Sequence, residues 1–232
     1  MSFLQRLFSN SLHESTLDSR VPRTSFEELT KPELETHLAI NSYGPFTLTD
    51  AIRPSYDLEV MPQQGYRPDV YRDDENNSEI PVLMATATRE ILFDLFLDLL
   101  DPLGPVVDVI LETSHHHDQG EHSDLYREEI DLPVLKSTLF EYEELLLNDG
   151  CTGIAVLNSG TPQEIQFDEH KMLIVYGNPL EVFEKILHRN DVFPHQDLQF
   201  ITEAEHVHSS SEQFHRGFEQ LSMRLGMETA TR

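Results

Sequence analysis

The densest run of metal-ligating side chains is Ser114-His115-His116-His117-Asp118-Gln119-Gly120-Glu121-His122. Neutral imidazole and carboxylate are good ligands for zinc, nickel or iron. His115, His117, Asp118 and His122 are therefore candidate donors, with His116 and Glu121 beside them. The run follows the apolar segment Val106–Glu112, and α/β folds commonly place ligand loops after such strands. Three adjacent imidazoles on a loop have no fixed geometry, however. The plainer reading is a polar loop that binds metals weakly.

A second grouping is His206-Val207-His208, with His215 a few residues on. Alternate residues of a strand face the same side, so His206 and His208 can share one ion. His215, early in the next helix, is the ring expected to approach them; exposed histidines beside a strand end are the alternative. Cys151, the single cysteine, lies in Gly150-Cys151-Thr152-Gly153. A nucleophilic role needs a nearby base or a helix N-terminus to lower its pKa. Neither is visible locally, so a small buried residue is expected.

A third pattern is acidic. Glu90, Asp94, Asp98 and Asp101 follow each other along one edge of an otherwise apolar helix. Like charges four apart repel by a few tenths of a kcal/mol, roughly. A cation or a basic partner would relieve this, and a simple solvated edge also accounts for it.

The phosphate cradles G-x-x-x-x-G-K-[ST] and G-x-G-x-x-G are absent, as are H-E-x-x-H, G-x-S-x-G and C-x-x-C. The formal charge is −26, with a net of −14 in residues 79–150 against −6 on either side. Nucleic acid and anionic membrane surfaces both select for basic footprints, so neither is an expected partner. One cysteine precludes an internal disulfide and fits a reducing compartment, so a cytoplasmic location is expected. The first residues, Met1 to Phe8, lack the apolar core of a secretory signal, and no segment reads as a transmembrane helix.

Two functions follow. The first is a non-catalytic interaction or regulatory protein that binds a basic protein partner through its acidic face, Glu90, Asp94, Asp98 and Asp101. The alternative is a divalent-metal-binding protein or metal-dependent enzyme, with a metal such as zinc held by the loop 115–122 and by His206 and His208.

The elements that must position these residues read as α/β, with α+β as the variant. A mixed sheet of about five to six strands carries helices packed on it. Strands are expected at Tyr56–Met61, Ile80–Thr86, Val106–Glu112, Thr152–Leu157, Glu164–Phe167, Lys171–Tyr176 and Leu198–Glu203. Helices are expected at Pro32–Ile40, Thr88–Asp101, Leu132–Asn148 ending on Gly150 as a left-handed cap, Pro179–Arg189, and Ser210–Leu225 ending on Gly226. Helices alternating with strands suggest parallel βαβ units plus one hairpin. Residues 1–78 read as a partly disordered extension with a linker at 73–78, residues 79–226 as a single domain, and 227–232 as a tail.

Overall fold

A computed structural model describes residues 24–27, 29–73, 78–115, 123–158 and 160–229. The architecture is α/β. One large sheet has strand order β12-β7-β6-β8-β9-β10-β5-β4, and two small two-stranded sheets stand beside it. Its strands are β4 (Gly65–Asp73), β5 (Ser78–Thr86), β6 (Val106–Thr113), β7 (Ser123–Asp131), β8 (Thr152–Asn158), β9 (Gln163–Phe167), β10 (Leu173–Gly177) and β12 (Glu228–Thr229). The small sheets pair β1 (Ser42–Tyr43) with β2 (Phe46–Thr47), and β3 (Ile52–Pro54) with β11 (His206–His208). The helices are α1 (Lys31–Leu38), α2 (Arg89–Leu100), α3 (Leu132–Glu141), α4 (Glu143–Asn148), α5 (Glu181–Arg189) and α6 (Glu212–Leu225).

Every neighbouring pair in the large sheet is antiparallel. The parallel pairing expected from alternating helices and strands is therefore not found, for a simple topological reason. In an all-antiparallel sheet, strands two or four places apart run the same way. β5 and β6, joined by α2, stand four places apart; β7 and β8, joined by α3 and α4, stand two apart. The helical crossovers do connect strands of equal direction, but other strands are inserted between them.

α2 shows what the helices contribute. Leu92, Phe93, Leu95, Phe96, Leu97, Leu99 and Leu100 are buried, and the Phe96 ring lies 5.2 Å from that of Phe167 on β9. Full burial of such side chains is worth about 1.5–3 kcal/mol each. They meet Val107, Val109 and Leu111 of β6, Ile154 and Val156 of β8, and Ile165 of β9 in one core cluster. The opposite sheet face carries Ile110, Ala155 and Leu157 centrally, and Met172, Leu198 and Phe200 toward one end.

Several boundaries differ from the sequence reading. The boundary expected at 73–78 falls inside a hairpin, because β4 pairs with β5 from Gly65↔Thr86 to Asp73↔Ser78. Pro68 on β4 obeys the edge-strand rule. β7, unread in the sequence, is polar and mostly exposed, so it lacks apolar alternation. It also carries an irregularity where Glu129 adopts φ 52° and its N–H bonds Asp108 Oδ1 at 2.8 Å. Residues 132–148 form two helices, because Tyr142 leaves helical geometry at φ −119°, ψ 19°. Tyr56–Met61 is a turn region, and Leu198–Glu203 is a loop with a single 3-10 turn. α5 starts at Glu181, beyond a cis Asn178–Pro179 bond, so Pro179 is not its first residue. Gly226 does cap α6 in the left-handed conformation. The expectation for residues 1–23 lies outside the described residues. No helix among the described residues is long and apolar enough to cross a membrane.

Candidate metal centre

β11 presents His206 and His208 two residues apart, and pairing with β3 fixes their side, with His206 opposite Pro54 and His208 opposite Ile52. The ring they meet is His170, in the turn between β9 and β10. Its ring centroid lies 5.0 Å from that of His206 and 4.8 Å from that of His208, and those two are 5.1 Å apart. One nitrogen from each of the three rings lies within 4.8 Å of the others. Three such atoms share a centre no more than about 2.8 Å away, against zinc–nitrogen bonds of about 2.0–2.1 Å. Inward shifts below roughly 1 Å would complete the coordination.

The second nitrogen of each ring is already committed. Nδ1 of His206 pairs with the carbonyl of Ala204 at 2.8 Å, and Nδ1 of His208 with the carbonyl of Gly150 at 2.6 Å. Nδ1 of His170 pairs with Asp168 Oδ2 at 3.0 Å. All three acceptors require Nδ1 to carry the proton, so in each ring, when neutral, the lone pair is on Nε2. Metal-ligating histidines are held in this way, by carbonyls and carboxylates behind the ring.

Burial and neighbouring charge favour the neutral form of two of the rings. Burial lowers the pKa values of His206 and His208, and the charge of His170 lowers both further. His170 goes the other way. Burial works against its charge, but the charge and hydrogen bond of Asp168, with the charge of Glu169, raise its pKa. Next to it, Lys171 is buried, with φ 62°, and its Nζ donates to the carbonyl of Thr152 at 2.8 Å. Burial pulls the Lys171 pKa down to about 8, against the opposing pull of Asp149, Asp168, Glu169 and Cys151. His170 and Lys171 also line a narrow cleft with Phe46, Leu48, Thr49, Leu92 and Ile201. The hydroxyl of Thr49 is buried with no hydrogen-bond partner among the described residues.

No family model, curated protein or solved structure matches this chain. Function therefore has to be read from side-chain placement.

Of the residues expected to hold metal, His206 and His208 come together. His117, Asp118 and His122 lie outside the described residues, as do His116 and Glu121. His115 lies elsewhere, with its ring 4.9 Å from His215 and 5.9 Å from Phe218. His215 thus joins His115, and not the β11 pair as expected, because α6 brings both Phe218 and His215 against the His115 ring. His170 was missed because it sits in a polar hairpin turn remote in sequence from β11. The available signal was Asp168-x-His170, a carboxylate placed to orient a ring.

The acidic edge of α2 is where the sequence places it. Glu90, Asp94, Asp98 and Asp101 are all exposed. Asp101 pairs with Lys136, Glu90 accepts from the Thr88 hydroxyl, and Asp98 accepts from Asn190 Nδ2 at 3.3 Å. Cys151 is half-buried, and burial raises its pKa. Gly150, expected as a left-handed cap, is absent from the positive-φ glycines. It is needed for a different reason, a close approach of backbone segments.

Proposed function

We propose that this protein is a divalent-metal-binding protein whose ion is held by Nε2 of His170, His206 and His208. The observation that carries this is the convergence of three rings, with one nitrogen of each within 4.8 Å of the others and every Nδ1 on a fixed acceptor. Three protein ligands leave the fourth tetrahedral position open, the arrangement of catalytic rather than structural zinc sites. A metal there would supply polarisation of a bound water or carbonyl. Because His170 also lines the cleft, a small ligand in the cleft would lie beside that position. Asp168, behind His170, acts as a positioning residue. Such a centre with a free thiol nearby suits a reducing, cytoplasmic setting.

The test is zinc binding by the full chain after chelator treatment. His206→Ala/His208→Ala should lose one bound equivalent, and Asp168→Asn should weaken that equivalent by about 10- to 100-fold, as loss of such support does. Zinc stoichiometry and affinity unchanged in the double variant would end the reading.

A second reading, a regulatory protein that binds a basic partner, is favoured by the exposure of Glu90, Asp94 and Asp98 on one helix edge. Among the described residues, no Lys or Arg forms an ion pair with these three.

A further inference from the structure

We propose that His115, Asp149 and Cys151 form a second cation site, one that takes a borderline-soft divalent ion such as zinc with the Cys151 sulfur bound as thiolate. It shares no ligand with the three-histidine centre and stands independently of it.

One donor atom from each of these residues lies within 4.8 Å of the others. The His115 side chain is 5 % exposed and that of Asp149 is fully buried. His115 Nε2 stands 3.0 Å from Asp149 Oδ2, a buried ion pair whose geometry falls short of a well-aligned hydrogen bond. A buried pair that is close but poorly aligned leaves both groups short of full hydrogen bonding, a deficit that a cation shared between them would make good. The other nitrogen, Nδ1, is taken by the Thr113 hydroxyl at 2.6 Å, which fixes the ring with Nε2 toward Asp149.

Asp149 is built to hold a negative charge here. Burial opposes ionisation, but contacts with His115, Ser210 and Thr152 outweigh it and lower the pKa. Imidazole, carboxylate and thiolate together form a donor set suited to zinc, with bonds of about 2.0–2.3 Å. Loading breaks the Cys151 S–H bond, forms a sulfur–metal bond and releases one proton to water. No electron is transferred.

The same residues argue against a cysteine nucleophile. A Cys–His–Asp relay needs the thiol on one ring nitrogen and the carboxylate on the other. Here Nε2 faces the carboxylate, but Nδ1 is taken by Thr113, so neither nitrogen is left for the thiol. The two cation sites adjoin across a single residue, because Gly150, whose carbonyl holds His208, lies between Asp149 and Cys151.

The probe is cobalt(II), titrated into the full-length, chelator-stripped protein under reducing conditions. The wild type should bind two equivalents and develop a sulfur-to-cobalt charge-transfer absorption. Cys151→Ser, which keeps a hydroxyl near Ser114 and Ser210, should lose that absorption and one equivalent. His115→Ala should weaken the same equivalent at least tenfold. His206→Ala/His208→Ala should keep the charge-transfer absorption while losing the other equivalent. A wild type that binds cobalt with no charge-transfer absorption would overturn the thiolate site and leave the three-histidine reading standing. Charge-transfer absorption that survives in Cys151→Ser would overturn it too. Circular dichroism of each variant separates loss of metal from loss of fold.

Discussion

Glu112 and Glu164 lie on the sheet face away from α2, on β6 and β9. Glu112 accepts from Gln166 Nε2 at 3.2 Å, and Glu164 is buried with Oε1 unpaired. Burial first, then the charges of Asp124, Asp168 and Glu169, raises the Glu112 pKa to about 7, against the lowering effect of Gln166. Burial and the charge of Glu112 raise Glu164 as well. A carboxyl whose folded pKa lies above its unfolded value binds more protons in the folded state between the two values. Stability therefore falls as pH rises from about 4.5 to about 7. Glu112→Gln should remove part of that fall, roughly 2–3 kcal/mol between pH 5 and 8, from about 1.4 kcal/mol per pKa unit. Urea unfolding of metal-free protein at both pH values measures it; a slope unchanged by the substitution would show that Glu112 is ionised throughout. At this scale the sequence was legible in part. Alternation on one strand disclosed His206 and His208, whereas His170 and Asp149 acquire their roles only through contacts across the chain.

At the element scale, the site depends on how closely three segments pass. The turn from α4 into β8 packs against the point where the start of β3 meets the residues after β11. Gly150 N–H bonds the Ser209 carbonyl, and Ser209 N–H bonds the Ala51 carbonyl, both at 2.8 Å. A Cβ on Gly150 would lie 2.4 Å from the Ala51 oxygen and 2.9 Å from the Ser209 oxygen. Those are backbone atoms in hydrogen-bonded segments, so they yield only by separating the segments. Gly150→Ala should cost about 1–3 kcal/mol, the range for an overpacked interior. It should also weaken zinc at the three-histidine centre, because the Gly150 carbonyl orients His208. Unfolding and zinc titration of this one variant check both effects; a destabilised protein with unchanged zinc affinity would separate the turn from the site. Gly150 was marked in the sequence as a helix terminator, and its actual role depends on segments about a hundred and about sixty residues away. Strands β6, β8 and β10 were legible from their runs of Val, Ile and Leu, and β9 from the polar turn that joins it to β10. The edge strand β4 and the polar strand β7, bordered outside only by the two-residue β12, were not, because they are held more by ladder hydrogen bonds than by side-chain burial.

Over the whole molecule, the net charge of −26 sets a background of self-repulsion that the compact state bears more than the unfolded chain. α2 samples that background at known positions. Asp94 and Asp98 are exposed, one turn apart, and make no ion pair among the described residues. Glu90 differs, since it lies in the first helical turn, accepts from Thr88 and is held ionised by that hydrogen bond. A negative charge at that end is favourable to the helix dipole. The three carboxylates of one edge should therefore not respond alike. Asp94→Asn/Asp98→Asn should raise stability by roughly 0.5 kcal/mol at low ionic strength, from relief of the like-charge pairs along this edge and of the wider field. The gain should shrink near 1 M salt, where the Debye length is about 3 Å. Glu90→Gln should instead lower stability by about 0.3–1 kcal/mol. The wild type should itself become more stable with added salt. The same variants examine the basic-partner reading, because an edge that recruits a cationic protein must lose association rate when Asp94 and Asp98 are neutralised, and salt must slow the wild type similarly. Denaturant midpoints across a salt series, with binding kinetics to a polybasic test protein, give both quantities. If stability responds as described while association does not, the edge is solvated surface and the charge serves solubility alone.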